Sequence, residues 1–159
     1  MVIAPAVAEV VRCAGGWMFD QVMAGWDVTV VTADRTDARP LRILGTRLVD
    51  LEGALARPVD GPCLQATAVQ AELYDSDPRV RRFVLEVLDK DQGEVRVWGD
   101  AWPDDLDGGT CSVTHRLSLA ARAFKAQALA AVAVPADPGE VAEVFRKGAI
   151  RRPSPVLGR

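Results

Sequence analysis

Apolar and polar positions along the chain follow two periodicities, which predict alternating strands and helices. Val28 to Ala33 is an apolar, largely β-branched run, typical of a strand covered on both faces. Glu94 to Trp98 predicts another strand. Each of these strands follows a helical pattern and a glycine, and each is followed by an aspartate, Asp34 or Asp100. We therefore predict two similar helix-to-strand units with parallel strands.

Other stretches have the spacing of helices or short extended segments. The predicted helices are Pro5 to Ala24, Cys63 to Tyr74, a helix capped by Asp77 that begins at Pro78, an alanine-rich helix after a cap at Ser112 or Thr114, and a short helix from Glu140 to Lys147. Extended segments are expected at Pro40 to Gly45 and Arg47 to Glu52. The pattern predicts a single α/β domain with a small, mostly parallel sheet flanked by helices, covering residues 1–134. Residues 135–159 are expected to form the short helix and a basic C-terminal tail.

Composition supports an ordinary globular domain. The chain has 159 residues, of which 49% are hydrophobic and 26% charged. No apolar run approaches the roughly 20 residues that span a bilayer, and the N-terminus lacks the basic start of a secretory signal, so a cytoplasmic location is expected. The residue usage fits a GC-rich bacterial genome. Three widely spaced cysteines without a CxxC pair predict free thiols rather than disulfides or zinc.

Charge is distributed unevenly along the sequence. Residues 111–159 carry 8 Lys and Arg against 3 Asp and Glu, whereas residues 1–110 are acidic overall. The basic part either packs on the acidic part of the same molecule or binds an acidic partner, which would be a protein or a nucleic acid.

Aspartates that follow the predicted strands are candidates for a metal or ligand site. Open α/β sheets bind ligands beyond the carboxyl ends of their strands, and Mg²⁺ prefers carboxylate oxygens. The alternative is that these aspartates are ordinary turn residues, since no DxD or DxDxDG spacing is present. The candidates are Asp34, Asp37, Asp100 and Asp104, with Asp105 and Asp107 in the same acidic loop.

Two further features contain residue types that are used in nucleophilic catalysis or nucleotide binding. Neither lies in the sequence context that such a site requires. His115 has Cys111 and Ser112 nearby, but no nucleophile-elbow sequence surrounds them, so we expect a residue in the first turn of the last helix. Gly15 and Gly16 lie inside a predicted helix rather than between a strand and a helix, which favours close packing over a nucleotide loop. No cofactor-binding residues are therefore predicted.

The sequence suggests no named family, and three functions are considered. The leading hypothesis is a non-catalytic binding or regulatory module that recognises a protein partner through its tryptophans, acidic loop and basic tail, and a protein partner or a homo-oligomer is expected. The second is an enzyme, assisted by Mg²⁺ at the strand-end aspartates, that acts on a phosphate-containing substrate. The third is nucleic-acid binding by the basic helix and tail. The candidate partner-binding residues are Trp98, Trp102, Arg146, Lys147, Arg151 and Arg152.

Overall fold

The computed structural model describes residues 1–56, 64–107 and 111–150. The strands in these ranges are β1 (Val2–Ala6), β2 (Thr29–Asp34), β3 (Arg47–Asp50), β4 (Ala66–Gln70), β5 (Glu94–Trp98), β6 (Leu106–Asp107), β7 (Ser112–Arg116) and β8 (Ala142–Ile150). The helices are α1 (Val7–Met23), α2 (Arg39–Ile43), α3 (Leu51–Leu55), α4 (Ala71–Ser76), α5 (Pro78–Asp89) and α6 (Leu119–Ala131).

The strands form one sheet in the order β3-β2-β1-β4-β5-β8-β6, and β7 also pairs with β8. The first five strands are parallel, whereas β8 is antiparallel to β5, β6 and β7. The chain runs from β1 outward to β3 and then crosses back to β4, so the strand order reverses between β1 and β4. The predicted single α/β domain with a mostly parallel sheet is confirmed.

Helices cover both faces of the sheet because its central strands are apolar on both sides. Val2, Ala4 and Val30 face α1, α2 and α6 in one core cluster. The alternate residues Ile3 and Val31 face α3, α4 and α5 in the other. The period-two alternation of strand side chains thus divides the core into two layers.

The helix predicted from Pro5 to Ala24 begins at Val7, because the central strand β1 precedes it directly. Val2, Ile3 and Ala4 are buried between neighbouring strands and helix layers. No turn separates this short strand from α1. The helical spacing that starts at Val7 therefore hides the strand in the sequence.

Two predicted helices contain strands instead. In the segment from Cys63 to Tyr74, residues 66–70 form β4 and the helix begins only at Ala71; Cys63 itself lies outside the described residues. Residues assigned to the short helix from Glu140 to Lys147 form most of β8. Alanine-rich composition favours helix, but burial in the sheet overrides that weak preference. In β8 a buried glutamate interrupts the apolar alternation that would reveal a strand.

The remaining predictions differ at element boundaries. Pro40 to Gly45 contains the short helix α2 rather than an extended segment. The last long helix is capped by Ser118, whereas Ser112 and Thr114 lie in β7. The cap at Asp77 is confirmed, since its side chain accepts a hydrogen bond from the second residue of α5. No helix in the described ranges is long and apolar enough to cross a membrane.

Candidate active site

A polar cavity of about 520 Å³ opens at the carboxyl ends of β4 and β5, between α1, which follows β1, and the start of β8. It lies where the strand order reverses, which is the position at which open α/β sheets bind ligands. Its volume is within the usual range for small-molecule sites. We call it the strand-end cavity. Its lining consists of Glu9, Arg12, Cys13, Gln70, Glu72, Trp98, Gly99, Asp100, Glu140, Ala142, Glu143 and Val144.

One wall is a face of α1 that carries Glu9, Arg12 and Cys13, which are three and four residues apart. Arg12 Nη2 donates to both carboxylate oxygens of Glu9, at 2.9 and 3.1 Å, and Cys13 Sγ lies 3.4 Å from Glu9 Oε1. Burial acts to raise the pKa of Glu9, but the hydrogen bond and charge of Arg12 outweigh it and hold that pKa below its usual value. Glu9 is therefore ionised at neutral pH.

The same surroundings raise the pKa of the Cys13 thiol, whereas they lower the pKa of Glu9. Burial, followed by the negative charge of Glu9, raises the pKa of Cys13 to about 12. Because the thiolate is the nucleophilic form of cysteine, a thiol with such a pKa is a poor nucleophile at neutral pH. The anionic group on this wall is therefore the Glu9 carboxylate.

Trp98 forms a second wall and is 6% exposed. Its indole Nε1 is buried and meets no acceptor in full hydrogen-bond geometry among the described residues. The indole nevertheless faces Glu9 closely enough to help lower the pKa of that carboxyl. A ligand oxygen beside Glu9 would offer this N–H an acceptor in better geometry.

The loop after β5 brings Asp100 to the cavity. The backbone N–H of Asp100 donates to Glu72 Oε1 at 3.2 Å. Gly99, which precedes Asp100, has a φ of 125°. Residues with a side chain rarely adopt this conformation, so glycine is favoured at this turn in the loop.

Glu143 is a buried carboxylate in the cavity wall, with 3% exposure. Lys125 Nζ lies 2.7 Å from both Glu143 Oε1 and Glu140 Oε2. The backbone N–H groups of Gly16 and Trp17 donate to the two Glu143 oxygens at 2.9 and 2.7 Å. Burial is the dominant influence and raises the pKa of Glu143 despite these partners. The network ties α1, α6 and β8 together beneath the cavity.

His115 meets Asp20 and Ser118, but not as a nucleophilic triad. Asp20 is the central member: its Oδ2 lies 2.8 Å from His115 Nε2, and its Oδ1 accepts from Ser118 Oγ at 2.6 Å. A triad requires histidine between the serine and the carboxylate. Ser118 Oγ also accepts from the α6 backbone as the helix cap. His115 lies in β7 rather than in the first turn of the last helix.

The four aspartates proposed as a magnesium site do not converge. Asp34 ends β2 and Asp100 follows β5, with β1 and β4 between them, which separates the strands by about 14 Å at ~4.8 Å per strand. Asp34 and Asp37 accept hydrogen bonds within the turn after β2, and Asp104 lies in the exposed loop after β5. Within the described ranges, no three His, Cys, Asp or Glu side chains are grouped to hold a metal ion.

The residues proposed for partner binding have different surroundings. Trp98 is buried in the cavity wall, whereas Trp102 is half-buried and donates its indole N–H to a backbone carbonyl at 3.0 Å. The Arg146 guanidinium lies 5.9 Å from the Trp102 ring, and Lys147 is exposed on β8. Arg151 and Arg152 lie outside the described residues.

No protein-family model and no curated protein matches this chain. Three solved structures are similar to it in fold. A triple mutant of a deacetylase from the teicoplanin biosynthetic pathway has a TM-score of 0.70 at 12% identity, with 96% of this chain and 98% of that chain covered. The A40926 pseudoaglycone deacetylase has a TM-score of 0.65 at 15% identity, with coverages of 96% and 97%. A deacetylase–teicoplanin complex has a TM-score of 0.64 at 12% identity, with coverages of 96% and 98%.

These similarities overturn the leading hypothesis from the sequence. All three proteins are deacetylases, and each shares its fold with nearly the whole of this chain. The prediction of a non-catalytic binding or regulatory module that recognises a protein partner is therefore wrong, since the fold of this chain is one that these deacetylases have. That prediction depended on the lack of a recognisable catalytic motif. A fold can carry a catalytic site whose residues are not contiguous in sequence.

Sequence reasoning missed the α1 face of the site. Glu9 is the third residue of α1, which follows β1 directly, so it lies near the carboxyl end of a central strand. The strand-end rule selected Asp100 because Asp100 follows a predicted strand. If β1 had been predicted as a strand, the same rule would have selected Glu9. No local signal marks Glu143, because its partners come from α1 and α6.

Proposed function

We propose that this protein is a hydrolase that removes an acyl group from an amide nitrogen in the strand-end cavity. The observation that carries the proposal is the position of the ionised Glu9 carboxylate. It lies in a polar cavity, at the strand-order reversal of a fold shared with deacetylases. Fold alone does not assign chemistry, so the proposal depends on what the side chains can do.

Glu9 acts as the general base. A water molecule beside its carboxylate loses a proton to Glu9 while the water oxygen forms a bond to the carbonyl carbon of the amide. The C–N bond then breaks, and the proton passes from Glu9 to the leaving nitrogen. The products are a carboxylic acid and a free amine. Water, rather than Cys13, is the nucleophile because the pKa of that thiol is about 12.

Arg12 and Trp98 stabilise the negative charge that develops on the carbonyl oxygen. The Arg12 side chain is 59% exposed, so it can turn from Glu9 towards a substrate oxygen without breaking a buried contact. The Trp98 indole N–H is an available donor next to Glu9. Donors directed at a developing oxyanion are worth about 10²–10³ in kcat for each one removed.

The experiment is acid release from N-acetylated amines by the purified full chain. The panel contains N-acetylglucosamine, teicoplanin and the A40926 pseudoaglycone, and acetate is quantified directly. We expect Glu9→Gln to lower kcat/KM by about 100-fold or more, since general-base catalysis contributes roughly 10²–10⁴. The matched control is Glu52→Gln on α3, where the side chain is 81% exposed and lies outside the cavity lining.

The control should retain activity, and both variants should unfold at the same temperature as the parent protein. Acetate release that is equal in Glu9→Gln and the parent would refute the role of Glu9. A complete lack of acetate release across the panel would refute deacetylation as the activity.

A further inference from the structure

A second cavity of about 440 Å³ lies between α6 and the segment that leads into β8. Most of its wall is apolar, although Arg122, Lys125, Asp137 and Glu140 also contribute. We call it the helix groove. Its apolar lining includes Leu117, Leu119, Ala123, Ala126, Leu129 and Pro138.

The helix groove is held open by defined contacts. Arg122 on α6 donates to the Pro138 carbonyl at 3.0 Å, which fixes the segment across from the helix. The backbone N–H of Leu117 donates to the Val141 carbonyl at 2.9 Å. Leu119 remains 82% exposed at the start of α6. An exposed leucine beside a fixed apolar wall offers area for an apolar ligand.

The two cavities share a wall. Glu140 lines both of them, and its carboxylate pairs with Lys125, which lines the helix groove. Lys125 also pairs with Glu143, which lines the strand-end cavity. Lys125 is therefore shared by two carboxylates, one of which lines both cavities. Because the ammonium is paired, an apolar chain that lies along this wall does not cover an unpaired cation.

We propose that the helix groove holds the acyl chain of the substrate while the amide lies in the strand-end cavity. The proposal rests on the hydrolase function given above and names its substrate class: N-acyl amines with chains longer than acetyl. The size of the groove suits a small ligand, since small-molecule sites span ~300–1,000 Å³. Its position next to a polar cavity, with Glu140 in both linings, favours a ligand with an apolar and a polar part.

A chain-length series tests the proposal. N-acetyl-, N-butanoyl-, N-hexanoyl- and N-octanoylglucosamine are supplied to the full chain, and the rate of amine release is measured. We expect kcat/KM to rise roughly fourfold for each added methylene, which is the factor given by burial of one CH₂ group. A flat or falling series, with amine still released, would overturn the acyl-groove assignment and leave the hydrolase function intact.

Two substitutions on α6 test whether the acyl chain of the substrate lies in the helix groove. Ala123→Phe places a ring in the helix groove and should lower the octanoyl-to-acetyl ratio of kcat/KM by at least about tenfold, since about two or more buried methylenes are lost. Ala130→Phe is the matched control, because Ala130 is exposed on the same helix and is not part of the groove lining. A ratio unchanged by Ala123→Phe would refute the location.

A binding measurement distinguishes an incorrect acyl-groove assignment from an incorrect hydrolase proposal. Calorimetry with the same glucosamine series measures affinity even when no amide is cleaved. Chain-length-dependent affinity that weakens in Ala123→Phe supports the groove, even if hydrolysis is absent. Affinity that is independent of chain length, or no binding at all, refutes it.

Discussion

Neighbouring glycines in one helix should respond in opposite ways to the same substitution. Gly15 and Gly16 both lie within α1. Alanine is favoured over glycine in a helix interior by about 1 kcal/mol, so propensity alone stabilises both variants. A Cβ added at Gly15 would meet its nearest neighbours at 3.4 Å, which is ordinary contact. We therefore expect Gly15→Ala to stabilise the fold by about 0.5–1 kcal/mol.

At Gly16 the added Cβ would lie 2.9 Å from Leu117 Cδ1 and closer still to Cδ2. Leu117 is buried, so it must be displaced from a packed position. Such overpacking costs about 1–3 kcal/mol, which outweighs the propensity gain in most of that range. The Gly16 N–H also donates to Glu143, and a shifted helix would lengthen that bond. We expect Gly16→Ala to be destabilising by up to ~2 kcal/mol.

Urea unfolding monitored by circular dichroism measures both variants under identical conditions. Their free energies of unfolding should differ by about 1–3 kcal/mol in favour of Gly15→Ala. Combining Gly16→Ala with Leu117→Ala removes the clashing atoms, so in that background the Gly16 substitution should become neutral or stabilising. A Gly16→Ala variant as stable as Gly15→Ala in the parent protein would refute the packing argument.

Three further predictions concern the buried and titratable groups. Lys125→Met leaves Glu143 buried without its cation and should cost about 3–5 kcal/mol in urea unfolding, with partial recovery when Glu143→Leu is added; no recovery would contradict the pairing. Burial acts to raise the pKa of Asp20, but its hydrogen bonds outweigh burial and hold that pKa below its usual value. Its folded pKa is thus lower than its unfolded pKa, so the stability it contributes is present above about pH 4 and is lost as the pH falls through the folded pKa. Asp20→Asn should flatten this acid dependence, and an unchanged pH profile would count against it. Finally, Cys13 should react with iodoacetamide far more slowly than the exposed Cys111, because its pKa is about 12; peptide mass spectrometry would detect equal labelling if the prediction is wrong.

Much of the fold could be predicted where local pattern and tertiary environment agree. The strand at Val28 to Ala33 and the helix after Asp77 have periodicities that match their burial, and both are present. The strands β1, β4 and β8 could not be recognised in the same way. Each is short or carries alanine or glutamate, and its extended form depends on hydrogen bonds to distant strands.

The candidate site was only partly predictable. The strand-end rule selected Asp100, which lines the cavity, and also Asp34, which ends a strand about 14 Å from β5 with two strands between them. The same rule applied to β1 would have selected Glu9. Which strand ends share a cavity is set by strand order, and strand order depends on crossover connections that leave no local pattern.

The sequence by itself determined the α/β class, the charge distribution and the apolar faces that cover the central strands, because these follow from residue type and periodicity. Only the tertiary structure decided which polar side chains line the strand-end cavity. Glu9 and Glu143 are 134 positions apart in the chain, yet both line one cavity. The main-chain N–H groups and the ammonium that hold Glu143 come from two different helices. Such a set exists only after folding, because the partners of Glu143 and the burial of both carboxylates depend on contacts between elements that are distant in sequence.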